Sequence, residues 1–171
     1  IDKKDLPTIF TMIKQICFAI VVEDVLFYFS HKLLHVKALY PLIHKQHHEY
    51  RRVVSIASEY AHPVEYIFSN VIPSNIGMFI LGKQVHIYTN FVWMFIRMTE
   101  TSDGHSGYEF PWTPFRLIPF SGSQEFHNYH HLNFNGNYGS FTVIWDRLFN
   151  TMNKGYLTYI DNVHKKNEIV S

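Results

Sequence analysis

The stretch HKLLHVKALYPLIHKQHH, residues 31–48, carries five histidines in a chain that is otherwise rich in apolar residues. Side chains four apart on a helix lie one above the other, and those three apart nearly so. His31 and His35 therefore share one face. His44, His47 and His48 share another, with Pro41 between the two segments. The trio spacing returns in HNYHH as His127, His130 and His131. Eight imidazoles so arranged can converge from three elements, and each neutral ring offers a lone pair that suits iron, zinc or copper. One pair four apart decorates many helix surfaces. The same trio twice, with a pair before it, is metal-site spacing.

The rest of the chain limits what such a site can serve. Its 171 residues suit one domain spanning 1–171, long enough to bury a core. Lys plus Arg is 15 and Asp plus Glu is 14, with no basic stripe for nucleic acid and no acidic tail. Cys17 is the only cysteine, which excludes an internal disulfide and a thiolate cage, while histidines number 12. Hydrophobic residues make up 47% and aromatics 17%, a load that points to a lipid-facing or lipid-binding protein. The charged start IDKKDLPT does not read as a signal peptide. The chain reads as a piece of a longer protein with membrane segments upstream.

Pro7 opens a helix over TIFTMIKQICFAIVVEDVLFYFSHKLLH, where Lys14, Glu23 and Asp24 interrupt the apolar run. That pattern suits a membrane helix with one protein-facing polar stripe. LIHKQHHEYRR reads as a second, more polar helix. HPVEYIFSNVIPSNIGMFILG is apolar for about twenty residues, the length a bilayer core demands, and IYTNFVWMFIRM is apolar but short. The two read as a hairpin of membrane-inserted helices, spanning or re-entrant, in preference to a pair of buried helices in a soluble bundle. Prolines at 111, 114 and 119 predict an irregular connection, and HNYHH a short helix. NFNGNYGS reads as a turn-rich loop, FTVIWDRLFNT as a closing helix or strand, and 160–171 as a solvated tail.

One zinc takes about four ligands, so eight histidines suffice for two ions that each keep an open position. A two-zinc hydrolase calls for bridging carboxylates. Histidines set among aromatics favour oxygen-activating iron beside an apolar substrate. Asp24 stands seven residues, two helical turns, before His31 and is placed to hold a ring N–H. Glu49, Glu59, Glu100, Asp103 and Glu125 are further candidates for that role. His62 and His105 flank apolar segments beside acidic residues, and isolated histidines of that kind are more often structural than ligating. His86 and His164 receive no role.

In their order, HxxxH, HxxHH and HxxHH resemble the membrane fatty acid hydroxylase and sterol desaturase superfamily. VEDVLFYFSHKLLH, LIHKQHHEY, EYAHPVEY, ETSDGHSGYEFP and HNYHHLNFNGNYGSFTVIWDRLFNT are similar to its sterol C-4 methyl oxidase (methylsterol monooxygenase) branch, from about Leu6 to Thr151. The resemblance implies an all-α, membrane-embedded helical bundle with a cytosolic, histidine-rich di-metal cap at the endoplasmic reticulum. It implies two iron ions, or zinc in the purified protein, at His31, His35, His44, His47, His48, His127, His130 and His131. His105, and less directly His62, complete the set. It further implies oxidation of a sterol methyl group by dioxygen, through alcohol and aldehyde to carboxylate. Electrons are expected from NAD(P)H through cytochrome b5, and the outer partners of the rings at Asp24, Asp103 and Asn128. Asn128, with Phe126, stands where the branch tends to carry an acidic and a histidine residue. Phe27, Tyr28, Tyr60, Phe95 and Trp145 are candidates to line a flat sterol cavity, though each such residue is more often simple packing. The rival readings are a hydroxylase or desaturase of acyl lipids and an altered homologue serving as a structural subunit of a membrane complex.

Overall fold

Residues Ile9–Leu34 form α1, a helix of 26 residues and about 39 Å. Thr8 starts it, its hydroxyl accepting from the Thr11 N–H at 3.1 Å and so filling one of the open donors of the first turn. The computed structural model describes residues 6–170. Residues 1–5, which hold most of the charged start, and residue 171, the end of the expected tail, lie outside the described residues.

The polarity of α1 is inverted relative to a water-soluble helix. Gln15, Glu23, Asp24 and His31 are buried, whereas Ile9, Phe10, Ile13, Val21 and Phe29 are exposed. The inward stripe finds partners: Gln15 Nε2 donates to the Gln84 carbonyl at 2.8 Å, and Arg97 Nε donates to Glu23 Oε1 at 2.8 Å. The outward face is left apolar.

Helix α2 spans Pro63–Gln84 and is the one described helix long and apolar enough to cross a membrane. It is irregular. A π-helical stretch over Tyr66–Val71 precedes Pro73, which has no N–H to donate. Side chains take up the released carbonyls: Ser74 Oγ donates to Asn70 O at 2.7 Å and Asn75 Nδ2 to Val71 O at 2.8 Å. Farther on, Gly77 lies against α1, and a Cβ there would stand 2.8 Å from the Ala19 Cα. The helices cross at that point because neither carries a side chain larger than a methyl.

Helix α3, Ile87–Gly104, packs back on α2. It is longer than its apolar sequence predicts, because the polar residues TETSDG, Thr99 to Gly104, continue the helix beyond the apolar run. Trp93 is fully buried, donates to the Ser74 carbonyl at 2.6 Å and stacks on Phe141, joining Ala19, Met78 and Phe115 in a small core. The expected hairpin is therefore present as α2 and α3.

The histidine-bearing elements close one end of this three-helix layer. HKQHHE, expected as a helix, is a 3-10 helix over His44–Glu49. The proline-rich connection is irregular, with one short 3-10 turn at Pro114–Leu117. Helix α4 spans Gln124–Asn133, α5 spans Ile144–Leu148, and α6 spans Tyr156–Val170. The segment expected as a solvated tail is thus helical through Val170. Among the described residues there is no strand, only an isolated bridge between Ser121 and Thr142.

The crossing at Gly77 yields a test. Gly77→Ala should lower the stability of the protein by about 1–3 kcal/mol, because the added methyl meets backbone that cannot swing aside. Thermal unfolding in detergent should show the loss; an unchanged melting temperature would mean the helices part at no cost.

Candidate metal centre

Nine histidines meet in two groups. His31, His35, His44, His48 and His130 form one, and His47, His105, His127 and His131 the other, with the ligand atoms of each group within 4.8 Å of one another. The groups do not follow the sequence boxes. In each HxxHH trio, the pair four apart goes to one group and the residue three along goes to the other. His44 and His48 join the first group while His47 joins the second; His127 and His131 join the second while His130 joins the first. The groups abut, with the His48 and His131 rings 4.5 Å apart.

Several outward ring nitrogens are fixed by acceptors, while His47 Nδ1, His48 Nδ1 and His131 Nδ1 are buried without a hydrogen-bond partner. His31 Nδ1 donates to the Tyr138 carbonyl at 2.9 Å, and His130 Nδ1 to the Gly136 carbonyl at 2.7 Å. The Phe134 carbonyl takes a hydrogen bond from His35. Alternate carbonyls of one loop, 134, 136 and 138, therefore serve three of the five rings in the first group. His44 Nδ1 donates to Glu65 Oε1 at 2.7 Å, and in the second group His105 Nδ1 donates to the Thr101 carbonyl at 2.9 Å. Each such bond places the proton on Nδ1 and turns a bare Nε2 inward.

That loop is itself held. Phe134, Gly136 and Asn137 have positive φ, and at Gly136 a Cβ would stand 2.4 Å from the Thr151 carbonyl, so only glycine fits. Asp146 is fully buried and accepts from Tyr138 N at 3.0 Å, Gly139 N at 2.7 Å and Thr151 Oγ1 at 2.7 Å. Asn153 N donates to Asn137 Oδ1 at 2.8 Å from the other side.

The inward nitrogens meet one another. Nε2 to Nε2 separations are 3.0 Å for His44 and His48, 2.9 Å for His105 and His127, 3.1 Å for His127 and His131, and 3.4 Å for His47 and His105. His35 Nε2 and His130 Nε2 are buried without a hydrogen-bond partner. Two nitrogens bound to one ion at about 2.0–2.1 Å lie about 2.9–3.4 Å apart at octahedral or tetrahedral angles. The spacing fits a metal ion in each group. Burial pushes His47 down to about 4, and burial with the neighbouring rings adding to it pushes His105 to about 3. The same causes hold His35, His44, His48, His127, His130 and His131 well below the ordinary imidazole range. All stay neutral, the form that binds metal.

Both groups border a cavity of about 30 Å³, lined by His31, His44, His47, His105 and His127 with Phe27, Glu65 and Ser69. Five imidazoles in one group and four in the other leave open positions on an ion that takes six ligands. The arrangement can thus present two ions to one small space.

Other expected residues stand elsewhere. His62 lies outside both groups and caps α2, its Nδ1 accepting from Val64 N at 3.2 Å. Asp24 does not reach His31; it accepts from Thr142 N at 3.0 Å, Thr142 Oγ1 at 2.6 Å and Trp145 Nε1 at 2.9 Å, because the α1 face bearing it turns toward the 142–145 segment. Asp103 accepts from Arg116, and Asn128 donates to the Tyr159 hydroxyl at 2.9 Å. The five aromatics do not line one cavity. Phe95 points outward, the Tyr60 hydroxyl donates to Glu49, Tyr28 is packed and bonded to Thr151, Trp145 serves Asp24, and only Phe27 borders the metal-facing space. Glu65, three residues after His62 in AHPVEY, is the carboxylate partner that sequence reasoning passed over.

Comparison with known proteins places the chain. The fatty acid hydroxylase family profile matches residues 16–151, and the chain belongs to that family. It is 41% identical over 149 residues to a very-long-chain aldehyde decarbonylase of Oryza sativa, covering 85% of this chain and 55% of the relative. It is 40% identical over 156 residues to a putative methylsterol monooxygenase of Dictyostelium discoideum, covering 91% and 57%. It is 40% identical over 151 residues to methylsterol monooxygenase 1 of Gallus gallus, covering 86% and 49%. The chain thus spans about half the length of the curated relatives it matches. No solved structure matches.

Two substitutions separate these assignments. Glu65→Ala should weaken metal retention by about 10–100-fold in a chelator titration, through loss of the bond that orients His44. His62→Ala should leave metal content unchanged. Equal metal loss in both would contradict the division drawn here.

Proposed function

We propose that the chain is the catalytic domain of an oxygen-dependent di-iron monooxygenase that oxidises methyl groups of 4-methylsterols. One iron would sit among His31, His35, His44, His48 and His130, and the other among His47, His105, His127 and His131. The observation that carries the reading is that both groups bring ring nitrogens within 4.8 Å of one another beside one cavity. The likeness to proteins named methylsterol monooxygenase supplies the substrate class.

Bound iron supplies the dioxygen chemistry that replaces a methyl hydrogen by hydroxyl. The chain does the rest. The carbonyls of residues 134, 136 and 138, together with Glu65, hold the rings in one orientation and one tautomer. The cavity, about 30 Å³, has room for roughly one water molecule, so an apolar group presented there meets little solvent. Phe27 forms an apolar part of its wall.

The surroundings support a membrane setting. The outward faces of α1, α2 and α3 expose Phe10, Phe68, Phe79, Phe91 and Phe95, while their inward faces bury charged and hydroxyl groups. We place the domain in the endoplasmic reticulum membrane with the histidine end toward the cytosol, where cytochrome b5 would pass on electrons from NAD(P)H. A second reading is favoured by the rice relative, a very-long-chain aldehyde decarbonylase by name: the reactant would then be a very-long-chain aldehyde.

The full-length protein, given 4-methylsterol, NADH, cytochrome b5, its reductase and oxygen, should yield sterols oxidised at the 4-methyl group. His130→Ala should abolish the products while the helical content stays near the unaltered protein's. Turnover of long-chain aldehyde alone would move the assignment to the second reading.

A further inference from the structure

A second, larger cavity lies in the apolar flank of the layer. It measures about 240 Å³ and runs between α2 and α3, lined by Val71, Met94 and Met98 with Asn70, Ser74 and Arg97 among its polar members. Asn70 and Thr101 line both this cavity and the small one beside the histidines. Two side chains therefore separate the flank from the metal-facing space. We propose that this groove admits the lipid substrate from the membrane, reacting end first, and that Asn70 and Thr101 form the threshold it crosses.

Three observations carry this, granted the monooxygenase reading above. The mouth opens in surface that is apolar on one side, where Val71, Met98 and their neighbours Phe68 and Phe95 are exposed, and polar on the other, where Glu59 and Asn75 stand. The groove is smaller than the ~300–1,000 Å³ of a pocket that encloses a whole drug-sized ligand, so it receives one end of a molecule whose body stays in the bilayer. Its inner end is ready for an oxygen-bearing group, because Ser69 Oγ and Glu65 Oε2 border the small cavity, buried and without partners. The ligand class that matches is a lipid with an apolar body and a hydroxyl near its reacting end. Apolar side chains, two of them flexible methionines, suit the body; the amides and hydroxyls suit the polar group.

The π-helical stretch is what makes the groove. It brings Asn70 to the threshold and buries Ser69 one residue before it. Thr101 is tied from both sides: its hydroxyl accepts from Arg97, and its carbonyl accepts from His105. Asn70 is accordingly the better position to alter, since it holds no histidine.

The test uses the metal-loaded full-length protein in lipid nanodiscs, first without reductant, with a photoactivatable 4-methylsterol. Crosslinks should map to Val71, Met94 or Met98. Met98→Trp should reduce labelling at least tenfold, whereas Phe10→Trp, on the exposed face of α1 away from the groove, should not; metal content of both should match the unaltered protein. With reductant and oxygen added, Asn70→Leu should raise KM for the sterol more than it lowers kcat. Labelling of the groove without any oxidation would uphold the access route and sink the monooxygenase reading. Oxidation with crosslinks elsewhere, or full labelling of Met98→Trp, would overturn the route.

Discussion

Imidazole lone pairs that are buried and turned toward one another set the terms for the whole molecule. Outer nitrogens of His31, His44, His105 and His130 are committed to carbonyls or a carboxylate, and inner nitrogens approach one another to about 3 Å. Burial keeps these rings from becoming cations themselves. Each group has the make-up of a metal site, and the binding energy of an ion there would become part of the folding energy. The long helices, the turn-rich loop and the buried aspartates can all be read as the frame for that arrangement.

The frame works largely through backbone. Asp146 and Asp24 each gather three donors, and between them they fix the segment from Tyr138 to Trp145 against α1. That segment sets the Tyr138 carbonyl on which the His31 ring rests. An outer carboxylate on every histidine would place several negative charges in a dry interior; neutral carbonyls orient the rings without that cost. Glu65 is the exception, and its free oxygen borders the cavity that both groups share.

Much of this was legible in the sequence, for identifiable reasons. Helical spacing displays i and i+4 partners directly, so the three boxes and their convergence could be read from one chain. The inverted polarity of α1 and the α2–α3 hairpin were legible as well, since charges placed periodically in an apolar run mark an inward stripe. The division of each trio between two groups was not, because it depends on how a 3-10 helix and α4 face each other across space. Backbone acceptors leave no residue signature, which is why NFNGNYGS read only as a loop. Asp24 was assigned to a ring on helical phase alone, whereas the tertiary partner at Thr142 decided its role. The ligand potential of His105 came from the family likeness, and its geometry follows from the cap that ends α3. Membership of the fatty acid hydroxylase family agrees with this architecture, while the substrate depends on features that the histidine pattern does not encode.

An anomalous-difference map of the purified full-length protein, collected at the iron edge, tests the two-group assignment most directly. Two peaks are predicted per chain, one inside the group of His31, His35, His44, His48 and His130, and one inside the group of His47, His105, His127 and His131. A single peak, or none in a correctly folded protein, would contradict it.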